Sequence, residues 1–369
     1  MARRLDKRQI LLLNNLMYLD RRIVESPYVS RENAAIGLAL GTYADGVPLA
    51  SIPDDAVGGG LINGAAWRSM LRMIRADQEL RQVILMDTYA DDRGASAAVF
   101  FDPGANEAVV TFKGTGDYEW PDNFKSGGAI TTQQQDKALA WFQGKAEGEQ
   151  GLLLDLAGYR FVTVTGHSKG GNKAKYIAIM DDSVDRCLSF NGQGFSDEFL
   201  ETFGDQVTLN QVKIENHNTD RDFIGILLNP VGNTTYYKGF GTEGFFWKNH
   251  SACSFFDFNH GSRMLITEQS PSMRELDLFI NAYLRSMNRD SKEDVLAAIS
   301  QLAEMAARDD HMGGIDYVKW ILQPGQMGRS SQLAKFSVEY GLRRLGMEEL
   351  KNAVGKASKR VMAWIEPEE

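Results

Sequence analysis

Ser168 lies in the string Gly166-His167-Ser168-Lys169-Gly170. A serine hydroxyl is a weak nucleophile at neutral pH, so a reactive serine needs special placement and a base. Glycines two before and two after it permit a turn so sharp that the hydroxyl stands clear of its surroundings, the G-x-S-x-G nucleophile elbow. The five residues alone describe an ordinary Gly-rich turn equally well. Their flanks separate the two readings. Phe161 to Thr165 is rich in β-branched residues and reads as a buried strand. Lys173 to Met180 carries apolar residues at helical spacing. That context exposes Ser168 at the C-terminal edge of a sheet, at the positive end of the following helix.

A nucleophilic serine requires a histidine as general base and an acid to orient the histidine. In a strand-elbow-helix setting the chain order is Ser, acid, His. The acid is expected after the strand Val212 to Glu215, where Asp220 and Asp222 stand on either side of Arg221. Read blandly, both are exposed loop acids. The chain has five histidines. His167 is inside the elbow and is expected to point away from the reaction centre. His217 precedes the acid, and His311 falls in a helical tail. His250 and His260 have the right order. One oxyanion donor should be the backbone N–H of Lys169, the residue after the nucleophile. A second should come from the loop after an earlier strand, at Phe112-Lys113-Gly114-Thr115.

The elements that must hold these residues alternate between strand and helix. Residues 5 to 24 read as an amphipathic helix, Glu32 to Leu40 as a second, and Ala65 to Leu80 as another. Residues 41 to 64 are Gly- and Pro-rich loop, with Gly58-Gly59-Gly60 as a flexible point. Ser96 to Phe101 and Ala108 to Phe112 read as strands joined by a turn, Asp102 to Glu107. Gln134 to Leu156 is expected to be mostly helical. After the elbow come a strand at Cys187 to Phe190, a helix at Ser196 to Phe203, and strands at Val212 to Glu215 and Thr234 to Tyr237. Such alternation predicts an α/β fold, a mainly parallel sheet with helices on both faces. From about Met273 only helices are expected: Leu276 to Leu284, Lys292 to Ala307, Gln332 to Leu345 and Met347 to Ile365. The division is therefore an α/β domain over 1–270 and an α-helical extension over 271–369 packed on it.

Composition bounds the function. The 369 residues are 43% apolar and 24% charged, enough for a sizeable core. A net charge of −9 with scattered acids argues against nucleic acid and against docking on anionic membranes. The basic start leads into an apolar run, Ile10 to Leu13, too short for a signal-peptide core. No stretch approaches the length of a membrane span, so a cytoplasmic location without stable membrane insertion is expected. Two cysteines, Cys187 and Cys253, make no disulfide framework, and no Cys/His cluster has zinc-like spacing.

The string Gly166-His167-Ser168-x-Gly170-Gly171 resembles the elbow of class 3 lipases, and Gly-His-Ser-Lys-Gly-Gly-Asn is similar to that of a bacterial branch of lipase-like α/β-hydrolases, the Mbeg-like family. Other strings fit in order. Leu11 to Asp20 resembles the branch's N-terminal helix, and Asn191-Gly192-Gln193-Gly194-Phe195 its loop after the next strand. Asp222-Phe223-Ile224-Gly225-Ile226-Leu227 resembles the lipase acid loop, which implies Asp222, with Asp220 as runner-up. His250 followed by Ser254-Phe255 is similar to the branch's His-x-x-x-Ser-aromatic signature, which implies His250 over His260. Phe112-Lys113-Gly114-Thr115 resembles the lipase Phe-Arg-Gly-Thr string and implies Thr115 as the second oxyanion donor. Gly116 to Phe124 follows the branch pattern in shortened form, as a lid or acyl-pocket wall. Lys169 replaces the leucine usual in class 3 lipases, with a side chain expected in ordinary solvent. It weakens any inference of triglyceride cleavage.

Together these readings imply a serine esterase that needs no cofactor or metal. Its substrate is a small-molecule ester or lipid-like compound with an apolar acyl or aryl group. Trp120 and Phe195 are expected to contact that group, among aromatic residues that include Tyr118, Phe124, Phe223, Phe245, Phe246 and Trp247. The same residues would serve a thioesterase, an amidase or an acyltransferase, or be retained in a silent binding protein. A homo-oligomer is left open.

Overall fold

The computed structural model describes residues 3–90, 96–114, 130–144, 152, 155–241, 249–286, 314–322, 331–345, 350 and 352. Thr115, Trp120, the expected lid over Gly116 to Phe124, Phe245 to Trp247, the helix at Lys292 to Ala307, His311 and most of Met347 to Ile365 lie outside the described residues.

Among the described residues eight strands form one sheet in chain order: β1 Ile84–Ala90, β2 Ser96–Asp102, β3 Glu107–Phe112, β4 Phe161–His167, β5 Arg186–Phe190, β6 Ile214–Thr219, β7 Asn233–Tyr237 and β8 Ile266–Thr267. β2 and β3 are the expected hairpin, with Asp102 opposite Glu107. β3 to β7 run parallel to one another, while β1, β2 and β8 add antiparallel pairings at the two edges. The sequence reading did not find β1 or β8. β1 mixes Asp87 and Thr88 with apolar residues and is mostly half-buried, so it shows no clean alternation. β8 has two residues.

Strict sequential order among parallel strands has a consequence. Right-handed crossovers then put the connecting helices on one face, and something else must cover the other. α1 Lys7–Leu16 and α2 Gly64–Ala76 do so. Ile10, Leu12, Leu13, Trp67, Met70 and Leu71 are buried in one core with Phe100, Val109, Leu188 and Phe190. On the other face, α3 Gln133–Phe142 and the elbow helix α4 Lys169–Met180 enclose Val99, Val110, Val162, Val164 and Cys187 with Trp141 and Ile177. Adjacent residues such as Val99 and Phe100 thus serve opposite cores, as the two-residue period of a strand requires. This is the mainly parallel, two-faced sheet of an α/β-hydrolase-type fold.

Several helices are shorter than their periodicity suggests: Glu32 to Leu40 gives only Arg31–Ala35, α3 ends at Phe142, and the expected loop over 41 to 64 opens on a helix, Leu40–Gly46. α1 starts at a capping box between Asp6 and Gln9 and ends at Leu16. Residues 17 to 24 turn instead, because Asp20 accepts hydrogen bonds from Arg22 and from the Gly59 N–H. α2 stops at Asp77, whose side chain caps a new short helix, Gln78–Gln82.

The described residues divide into two compact units. The first holds the whole sheet and runs to residue 268, and the second takes the chain from residue 269 onward. The second unit is helical, with α5 Pro271–Ser286, α6 Gly314–Ile321 and α7 Ser331–Leu345. Its centre is aromatic: Phe279 lies against Tyr317, Phe336 and Tyr340 at ring-centroid distances of 6.0, 5.5 and 5.0 Å. Among the described residues no helix is long and apolar enough to cross a membrane.

α4 is buried on all sides, lysines included: Lys169, Lys173 and Lys175 are 1 to 2% exposed. The Lys175 Nζ donates to the Gly192 carbonyl at 3.1 Å and lies 5.8 Å from the centre of the Phe195 ring. Burial pulls its pKa from 10.5 to about 8. Between those two values the unfolded chain holds the proton and the folded chain does not, so this residue's contribution to stability rises with pH across that window. Comparing urea unfolding of wild type and Lys175→Met should show it. The difference should move in favour of wild type by up to about 3 kcal/mol as pH rises from about 8 to 10.5. A difference that does not change over that range would contradict a charged, buried Lys175 at neutral pH.

Candidate active site

The elbow forms between β4 and α4. Ser168 has φ 59° and ψ −129°, a backbone region that side chains rarely adopt. It is held there from both sides: its N–H donates to the Phe190 carbonyl at 2.9 Å, and its carbonyl accepts from the Gly171 N–H at 2.9 Å. Strand and helix approach so closely that a Cβ on Gly166 would overlap the Gly170 carbonyl, and one on Gly170 would overlap the Phe112 carbonyl. Both motif glycines are thus required by close backbone contact.

His250 Nε2 lies 2.8 Å from Ser168 Oγ, and His250 Nδ1 lies 2.5 Å from Asp222 Oδ2. The other oxygen of Asp222 accepts from the N–H groups of Ile224, at 3.0 Å, and Gly225, at 2.5 Å. The Asp222 side chain is fully buried. With a neutral imidazole, the arrangement fits Ser168 donating to Nε2 and Nδ1–H donating to Asp222.

Asp222 reaches this place because β6 runs on to Thr219, four residues beyond the expected end at Glu215. His217, Asn218 and Thr219 are therefore strand rather than loop. Asp220 turns away, accepting from the Gly239 N–H at 2.8 Å with Lys238 at 3.8 Å. His250 is placed by its own turn: the Asn249 carbonyl accepts from Ser254 Oγ at 2.9 Å and from Thr219 Oγ1 at 3.1 Å. Phe255 anchors the turn against Phe190 and Tyr237, each at 5.8 Å between ring centres. His260 stands apart, 80% exposed and bonded to Asp257 at 2.9 Å.

Two expectations need correction. His167 does not point away from the centre. Its ring lies 4.8 Å from that of His250, and its Nε2 lies 2.6 Å from the His250 carbonyl. Nor does the Lys169 side chain sit in solvent, since the whole residue is 1% exposed, enclosed with the rest of α4. Its N–H occupies the first position of that helix, as an oxyanion donor must. Phe195 is in the helix-side core, stacked on Phe199 with ring centres 4.2 Å apart.

Sequence reasoning missed Tyr18. Its hydroxyl, supplied by the segment after α1, lies 3.0 Å from His167 Nδ1 and 3.1 Å from the Gly114 nitrogen. No local pattern marks it, because the contact spans 149 residues. Among the described residues no group of three or more His, Cys, Asp or Glu is arranged to hold a metal ion.

A search of curated proteins finds no match. Among solved structures, the chain is similar to the Lip2 lipase from Yarrowia lipolytica, at 12% identity and a TM-score of 0.33, over 47% of this chain and 70% of that one. A family model described as Mbeg1-like matches residues 84–301, more than half of the 369-residue chain, and the chain therefore belongs to the Mbeg1-like family.

Proposed function

We propose that the protein is a serine hydrolase that cleaves carboxylic esters through an acyl-enzyme. The observation that carries the reading is the unbroken chain from Ser168 Oγ through the His250 ring to the buried Asp222 carboxylate, on a serine held at positive φ. Ser168 Oγ attacks the carbonyl carbon while His250 Nε2 takes its proton. The resulting imidazolium is stabilised by Asp222, which keeps its negative charge. His250 then returns the proton to the leaving alkoxide as the carbon–oxygen bond breaks. Water, deprotonated by His250, releases the acid. The oxyanion is assigned to the Lys169 N–H and to Thr115, each donor contributing about 3 kcal/mol to the transition state.

The substrate is assigned to small-molecule esters with an apolar acyl or aryl group, with Trp120 against that group. The aromatic density of the segments around residues 118–124 and 245–247 motivates this. Phe195, stacked in the core, is assigned to packing. Each methylene buried in an apolar pocket contributes up to about 0.8 kcal/mol, up to roughly fourfold in kcat/KM. A series of p-nitrophenyl esters of graded chain length tests the assignment. The specificity constant should rise beyond acetate, and Trp120→Ala should flatten that rise more than it lowers acetate cleavage. A steady fall from acetate onward would rule out an apolar acyl pocket. Covalent labelling of Ser168 by a fluorophosphonate distinguishes an enzyme from a silent binding protein, which would stay unlabelled.

A further inference from the structure

We propose that Tyr18 and His167 are a positioning pair that ties the oxyanion loop to the backbone of the base; this rests on the reading of Ser168 and His250 as catalytic. Three hydrogen bonds run in series. The Gly114 N–H lies 3.1 Å from the Tyr18 hydroxyl, the hydroxyl 3.0 Å from His167 Nδ1, and His167 Nε2 2.6 Å from the His250 carbonyl. Gly114 immediately precedes Thr115, so the chain connects the loop of the second oxyanion donor to the residue that moves the proton.

The direction of every bond follows from donor and acceptor inventory. The His250 carbonyl only accepts, so His167 Nε2 carries a proton. A neutral imidazole then has its lone pair at Nδ1, and Tyr18 donates to it. The Tyr18 oxygen in turn accepts from the Gly114 N–H. A charged His167 would instead donate from Nδ1 to the Tyr18 oxygen and reverse that bond. Burial, and secondly the neighbouring His250, hold the His167 pKa well below its usual value, which keeps the ring neutral.

The pair is tightly enclosed. Tyr18 and His167 are 6% and 4% exposed. A Cβ on Gly114 would overlap the Tyr18 hydroxyl, and one on Gly60 would press on the Tyr18 ring at 3.1 Å. The Gly60 carbonyl in turn accepts from Ser251 Oγ, one residue past His250, at 2.9 Å. The ring of Tyr18 is thus fixed by packing, which sets its hydroxyl between His167 and Gly114. The segment that supplies it lies before residue 84, where the family match begins.

Tyr18→Phe removes the hydroxyl and keeps the ring. Its kcat on the best p-nitrophenyl ester should fall roughly tenfold or more with KM within about twofold, because misplaced catalytic groups affect the transition state and not substrate binding. The rate of Ser168 phosphonylation by a fluorophosphonate should fall in parallel. In a double-mutant cycle, Tyr18→Phe should cost far less once His167 is replaced by Phe, since the first acts through the second. A general loss of packing would leave the two effects additive. Wild-type kcat in a folded Tyr18→Phe protein that is labelled at Ser168 would overturn the pairing and leave the hydrolase reading intact. A wild-type protein that is never labelled would overturn both. Nitrogen NMR of wild type adds a measurement independent of any variant: His167 should carry its proton on Nε2, and a proton on Nδ1 would refute the series.

Discussion

Ser168→Ala should lower kcat for ester cleavage by roughly four to six orders of magnitude, because removing the nucleophile of a triad abolishes the covalent route. What remains should reflect oxyanion stabilisation and binding, which act without the serine. The fold should not suffer. Ser168 Oγ has His250 as its partner, and the backbone bonds to Phe190 and Gly171 do not involve the side chain. Thermal unfolding and circular dichroism should therefore stay near wild type. Ser168→Gly supplies a sharper test of the strained geometry. It should be equally inactive, yet melt at or above Ser168→Ala, because glycine adopts positive φ without the cost of roughly 1 to 3 kcal/mol that other residues bear there. An active Ser168→Ala protein, free of contaminating esterase, would refute the nucleophile. Lower stability of the glycine variant would argue against strain at the elbow.

The second large effect concerns the base and its orienting acid. His250→Ala should lose activity on the scale of Ser168→Ala, since the two act as a unit. His260→Ala should stay within about twofold of wild type, because its ring is exposed and paired with Asp257, away from Ser168. Asp222→Asn is the most informative change. The amide oxygen can still accept from Ile224 and Gly225, so the loop keeps its shape. The amide nitrogen then faces His250 Nδ1 and favours the wrong tautomer, with an expected loss of about ten-thousand-fold in kcat. Measured together, the three variants separate their roles. If His260→Ala is the inactive one, the base is misassigned. If Asp220→Asn costs more than Asp222→Asn, the acid is.

The elbow was readable from sequence because its requirements are local. Two glycines, a β-branched run before them and an apolar helix after them lie within about twenty residues, and close backbone contact demands those glycines whatever the rest of the chain does. The core sheet was readable for a related reason. Strands buried on both faces are nearly continuous apolar runs, as β3 is. Edge strands lack that signature, and β1 and β8 were missed.

The order of Ser168, Asp222 and His250 along the chain was also set by sequence, and the family resemblance favoured Asp222 over Asp220, although residue type and spacing did not separate the two acids. Two acids separated by one residue look alike until the end of β6 is known, and β6 gains four residues beyond Glu215 through its pairing with β7, from Asn216–Thr234 to Thr219–Tyr237. That extension turns Asp220 toward Gly239 and Asp222 toward His250. Tyr18 and the true direction of His167 were wholly beyond local pattern. Strand order along the sheet left one face to be covered by the N-terminal residues, and only that packing carries a tyrosine to the elbow. The sequence by itself determined the elbow around Ser168, the chain order of the candidate acid and base and the alternating elements that carry them, because these depend on backbone contacts a few residues apart. Only the tertiary structure brings the Asp222 carboxylate to His250 and the Tyr18 hydroxyl to His167, because those meetings depend on strand pairing and core packing across 28 to 149 residues of chain.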